Sequence, residues 1–228
     1  MSRALPLLFL VLAGCAGATA VESPVAAPEP VKIDRGPTSM ESEIGGMNED
    51  AVADAFGALE RQVLGCVRRG SERVREIGGH FVLSLRIDKH GQARWAYLSE
   101  STLGDRETEK CVLELARGQA WPKPVGGEGL ATRAFEIDPG TEPVSWEAKR
   151  IRSAVGAARE KLGRCKKGLV GSFVATAYVS PNGRVLSAGV APPSESGEEA
   201  ADCIARTIEK LRFGSPGRRA AKVTFPVP

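Results

Sequence analysis

Apolar positions recur at helical spacing from Ala55 to Val67 and again from Ile151 to Cys165, which predicts two helices. Each is followed by apolar runs that flank a turn: Phe81–Ile87 before Asp88-Lys89-His90-Gly91, and Phe173–Val179 before Ser180-Pro181-Asn182-Gly183. A Gly closing each turn supplies positive φ, so both segments read as β-hairpins whose returning strands run Ala93–Ser99 and Val185–Val190. Second helices follow at Asp105–Gly118 and Ser196–Leu211, opened by acidic residues that suit the positive end of a helix dipole. Last strands are expected at Ala131–Ile137 and Ala221–Val227, with the turn-rich Asp138–Pro143 between the two sets. The predicted order is therefore α-β-β-α-β, twice.

The two sets superpose without a gap at an offset of 92 residues, which lays Gly79, Phe81, Val82, Gly91, Ala96, Glu107 and Cys111 on identical residues and Trp121 on Phe213. The shared order of turn, helix and Cys makes this a candidate duplication. The expected fold class is α+β, two tandem modules at 51–137 and 148–228 joined by a linker at 138–147.

Before the first module the pattern changes. Arg3 and the apolar stretch Ala4–Ala13 read as an export signal, too short to span a bilayer of roughly 30 Å. The stretch runs into Leu12-Ala13-Gly14-Cys15, which resembles the bacterial lipobox, so residues 1–14 are expected to be a lipoprotein signal and Cys15 the lipidated N-terminus of the mature chain. Acyl chains contribute roughly 0.8 kcal/mol per buried methylene, enough to anchor without a transmembrane helix. An ordinary signal cut near Gly14 or Ala18 is the alternative. Ala16 after the Cys favours the outer membrane, facing the periplasm. Residues 15–50, with Pro24, Pro28, Pro30 and Pro37 among small and polar residues, have no sustained apolar period and read as a tether.

An exported chain meets an oxidising compartment, which changes the reading of its five Cys. Cys15 accounts for the odd one. The other four allow three connectivities; the repeat favours Cys66 with Cys111 and Cys165 with Cys203, one disulfide per module. Closing loops of that length stabilises by roughly 4 kcal/mol in the chain-entropy model. A thiol oxidoreductase is the functional alternative, but the C-x-x-C spacing such enzymes use is absent.

Composition narrows the remaining classes. With 31 Lys+Arg against 28 Asp+Glu, the net charge of +3 argues against a strong polyanion-binding field, and no nucleic-acid partner is expected. Two His are too few for a His-rich metal site, no cofactor motif occurs, and no Walker loop, H-E-x-x-H or G-x-S-x-G is present. The chain is expected not to be an enzyme.

The run from Gly79-x-Phe81-Val82 through the Gly91 hairpin and the following helix to Trp121-Pro122, repeated from Gly171 to Phe213, resembles the TonB C-terminal domain superfamily. In particular it resembles the Cys-containing version found at the C-termini of myxobacterial gliding-motility proteins, the AgmX/PglI C-terminal family. The likeness covers roughly residues 51–228. It implies a three-stranded antiparallel sheet with two helices on one face of each module, and a non-catalytic role in protein contact across the envelope. The chain departs from the pattern in lacking the Tyr-Pro pair before the first family strand and in carrying a lipobox where an energy transducer has a transmembrane helix. A scaffold is therefore expected ahead of a component of TonB-like energy transduction or of a gliding machine.

A sheet edge is the expected partner site, since an unpaired strand offers its N–H and C=O groups to an extended segment of an envelope protein. The first module's last strand, with Thr132, Arg133 and Phe135 as site residues, has no Pro; the second's carries Pro226 and Pro228, which suits a guarded edge. Both first-helix regions are basic, Arg61, Arg68, Arg69, Arg73 and Arg75 in one and Arg159, Lys161, Arg164, Lys166 and Lys167 in the other, which makes an anionic surface a second expected partner. Glu107, Glu109, Glu198, Glu199 and Asp202 are explained by helix N-terminal placement, His80 and His90 read as inert, and Trp95 and Tyr97 are expected to pack against a helix.

Overall fold

The computed structural model describes residues 39–41 and 46–228; the predicted signal, Cys15 and most of the predicted tether lie outside them. Asn48 starts helix α1 (Glu49–Ser71), its side-chain oxygen accepting the Ala51 N–H at 2.8 Å, with Glu49 and Asp50 in the first turn. That cap is why the helix starts before the expected Ala55, and at its other end it runs on past Val67 to Ser71. Its stripe of Val52, Phe56, Leu59, Val63 and Cys66 is buried. Strands β2 (Gly79–Ile87) and β3 (Ala93–Ser101) form a hairpin, helix α2 (Arg106–Gly118) is capped by Asp105, and β4 (Gly129–Ile137) returns beside β2. These strands make a three-stranded antiparallel sheet, and both helices pack on the face bearing Phe81, Leu83, Leu85 and Ile87. A short strand β1 (Ser39–Glu41) lies antiparallel to Leu130–Thr132 on the outer edge of β4.

The second half departs from expectation in two places. Val144–Trp146, expected as linker, forms strand β5 parallel to β8 (Ala221–Pro226), so the sheet with β6 (Val174–Val179) and β7 (Val185–Ala191) is mixed, in the order β5-β8-β6-β7. The expected single helix Ile151–Cys165 is broken at Ala158 into α3 (Arg152–Ala157) and α4 (Arg159–Lys166). Neither piece has a side-chain cap, and Gly156 and Gly163 weaken the run further. Helix α5 (Glu198–Glu209) completes the half and covers the same face of the sheet as α3 and α4.

The hairpin turns repeat in atomic detail. Gly91 N–H donates to Asp88 O and Trp121 N–H to Gly91 O; Gly183 N–H donates to Ser180 O and Phe213 N–H to Gly183 O. Gly91 (φ 82°) and Gly183 (φ 77°) both occupy the left-handed region, and a Cβ at either would collide with the carbonyl oxygen of Trp121 or Phe213. Both positions therefore require Gly.

The described residues belong to one compact unit with a separate apolar core in each half. The halves pack asymmetrically: the segment Ser101–Glu109 of the first half lies on the outer face of β6–β7. Ser187 Oγ donates to Gly104 O at 2.7 Å, and the fully buried Tyr178 hydroxyl donates to Gly78 O and accepts from Gly78 N–H. Val74, Ile77 and Tyr178 form a small apolar cluster of their own at this junction.

Candidate functional site

Strand alternation decides which of the expected edge residues point where. Ala131, Arg133, Phe135 and Ile137 share the face toward the helices. Phe135 is buried and stacks on Phe81 with ring centroids 4.7 Å apart, and the Arg133 guanidinium lies over the Phe56 and Phe135 rings and 3.8 Å from Glu60. Only Thr132 presents its side chain on the opposite face, near Ser84. The first half of the β4 edge, Leu130–Thr132, is covered by β1. From Arg133 to Ile137, β4 pairs with β2 on one side and with no other strand among the described residues. In the second half the corresponding edge is taken by β5, which pairs with Ala221–Val223, while Pro226 sits opposite Val174 of β6.

Cys66 is bonded to Cys111 and Cys165 to Cys203, with Cα–Cα distances of 5.8 and 5.5 Å. Each joins the first helical segment of its half to the second. Cys66 and Cys165 are buried, and Arg69 donates to Cys111 Sγ. Among the aromatic and imidazole candidates, His80 lies within 3.4 Å of Glu100 and 3.6 Å of Glu136 on the sheet surface. Trp95 and Tyr97 pair at 5.7 Å, but on the face of β3 opposite the buried Ala96 and Leu98, so they face away from the helices against which they were expected to pack.

The acidic residues assigned to helix N-termini do more than oppose a dipole. Arg106, its side chain 7% exposed, forks between Glu198 and Asp202, with Nε to Asp202 Oδ1 at 2.7 Å; its Nη1 faces Glu109 Oε2 at 3.6 Å. Glu109 is fully buried and accepts from Ser101 Oγ at 2.7 Å and from Val190 N–H at 2.9 Å. Burial pushes the Glu109 carboxyl up to about 7, against the pull of Arg106 and those two donors, and also raises Glu198. Asp202 pays some burial too, yet Arg106 and Lys110 hold it below the usual carboxylate range. Gly189 is required by this arrangement, because a Cβ there would collide with Glu109 Oε1. The cluster ties the two halves together, Arg106 bonding Glu198 and Asp202 and Glu109 accepting from Val190 N–H. Its two cross-half charge pairs, Arg106/Glu198 and Lys110/Asp202, are each separated by 92 residues.

No family model, curated protein or solved structure gives a significant match to this chain. Among the described residues no helix is long and apolar enough to cross a membrane.

Proposed function

We propose that the chain is a lipid-anchored, periplasm-facing scaffold of the bacterial envelope, non-catalytic, built from two copies of one α-β-β-α-β module and binding protein partners through a sheet edge. The observation that carries the interaction reading is β1: the β4 edge already accepts an extended segment, three residues of this same chain, in antiparallel register. An edge that takes one strand by main-chain pairing can take another. Duplication is supported by the paired turns, in which Gly91 and Gly183 hold the same φ and the same carbonyl contacts at an offset of 92 residues. Anchoring rests on the lipobox at Cys15.

Affinity capture of the full chain from its native envelope, beside Cys15→Ser and Thr132→Glu forms, tests the two parts separately. Labelled palmitate should enter the parent chain and not the Cys15→Ser form; absence of label in both removes the anchor. Thr132→Glu should lose partners that the parent retains, and an unchanged partner set would sink the edge reading. Recovery of motor or receptor subunits would move the assignment to force transmission in a TonB-like or gliding machine.

A further inference from the structure

Residues 149–167 hold eight Lys and Arg against the single Glu160, a local excess larger than the net charge of +3 carried by the whole chain. The corresponding helix of the first half, α1, holds four acids and three bases; Arg69 in its last turn donates to Cys111 Sγ, and Arg73 just beyond it bonds Asp105 and Thr108. In the second half, Lys149 pairs with Glu147, Lys166 donates to Val227 O, and Arg150 lies over Trp146. Arg152, Arg159, Lys161, Arg164 and Lys167 are exposed and make no ion pair among the described residues.

Two grooves flank this basic helix pair. One, of about 270 Å³, has Ile151, Val155, Phe225 and Pro228 as an apolar floor beside Arg152 and Arg159. The other, of about 610 Å³, runs over the Cys165–Cys203 disulfide and is rimmed by Lys161, Arg164 and Lys210. At the end of α4, Lys167 turns the chain in the left-handed conformation (φ 49°), and Val170 beyond it is 91% exposed. Module one covers the opposite face of the β6–β7 sheet, so α3 and α4 look outward from the molecule.

We infer that the α3–α4 face and the Lys167–Val170 tip form a docking surface for an anionic phospholipid bilayer. Five exposed cations left without an ion pair among the described residues suit a headgroup layer, which demands no fixed register of its partner charges. Headgroup phosphates match the cationic grooves, and an exposed Val between Lys167 and the strand that follows suits the interface between headgroup and acyl chain. Such binding is independent of Cys15 and orients the module that does not carry the β1-covered edge toward the membrane.

Sedimentation of the full-length Cys15→Ser chain with vesicles tests this apart from lipidation. Vesicles of phosphatidylcholine with phosphatidylglycerol should bind it, phosphatidylcholine alone should not, and raised salt should release it. The combined Lys161→Gln, Arg164→Gln and Lys167→Asn form should bind anionic vesicles on the order of a hundredfold more weakly, about fivefold for each charge near the surface. The matched Arg61→Gln, Arg68→Gln, Arg75→Gln form, equal in net charge and verified as folded by circular dichroism, should lose only a few-fold. Equal losses in the two forms would reduce the effect to net charge and overturn the proposal. Binding to soluble polyglutamate with none to anionic vesicles would overturn it in favour of an acidic peptide.

Discussion

The first helical segments of the two halves occupy the same place in their folds and are built in opposite ways. Helix α1 is continuous for 23 residues, opened by an Asn48 cap and balanced in charge; Arg69 in its last turn bonds the disulfide, and Arg73 just beyond it bonds Asp105. The α3–α4 pair is broken, uncapped and strongly basic, with its cations left outside. Both bury an apolar stripe and both are fastened to the second helix by one Cys–Cys bond. Core packing and staple are thus what the two halves share, while cap and surface charge are where they differ. The lesson is that a broken helix survives where a covalent link and a packed stripe hold it, because tertiary burial supplies most helix stability in a folded domain.

Removing the staples should break the comparison hardest. Cys165→Ala with Cys203→Ala, and Cys66→Ala with Cys111→Ala, open loops that the disulfides close over sequence separations of 38 and 45 residues in the parent chain. Each double replacement should cost about 4 kcal/mol in chemical denaturation. The loss in the second half should in addition abolish the helical amide protection of α3–α4 in hydrogen exchange, whereas α1 should retain protection when its own pair is removed. Equal loss of protection in both helices would show that the cap contributes nothing to the difference.

Glu109 should impose a pH dependence on the contact between the halves. Its folded pKa is raised from 4.5 to about 7, so the folded state keeps a proton that the unfolded chain has released. Stability from this group therefore falls as pH rises from about 4.5 through about 7 and levels off above, by roughly 3 kcal/mol. Glu109→Gln should flatten that part of the stability profile; a profile unchanged by the replacement would rule Glu109 out as its source.

Tyr178→Phe removes the hydroxyl that serves both Gly78 N–H and Gly78 O in the buried junction, and thermal unfolding should report a loss of about 1–2 kcal/mol. Asn48→Ala removes the cap that α1 has and α3 lacks, and should cost about 1 kcal/mol. A loss well below that would mean the first-turn acids alone define the start of α1.

Much of the architecture was legible because its signals are local. The apolar runs Phe81–Ile87 and Phe173–Val179 and the Gly-closed turns marked the hairpins, and the apolar period marked the helices. The β4 edge was harder to read. Period-two alternation correctly separates Thr132 from Arg133 and Phe135, yet no local feature announced that Ser39–Glu41 would lie along Leu130–Thr132, because strand pairing is set by main-chain groups that any residue carries. The parallel pairing of Val144–Trp146 with β8 escaped for the same reason. The charge lock escaped because helix N-terminal placement is itself a sufficient explanation of an acidic residue, and only burial distinguishes Glu109 from a solvated one.

The sequence by itself determined the helix, hairpin, helix and last-strand order of each half, the positions that must be Gly in the two turns, the supply of Cys for two staples and the segregation of positive charge into residues 149–167. Those are properties of neighbouring residues and of their backbone preferences. Only the tertiary structure decided which charges remain free and which become a lock, that β6–β7 would be covered by Ser101–Glu109, and that Tyr178 would be buried without touching either main core. These outcomes depend on long-range contact, where desolvation and the pairing of partners some hundred residues apart determine what each side chain does.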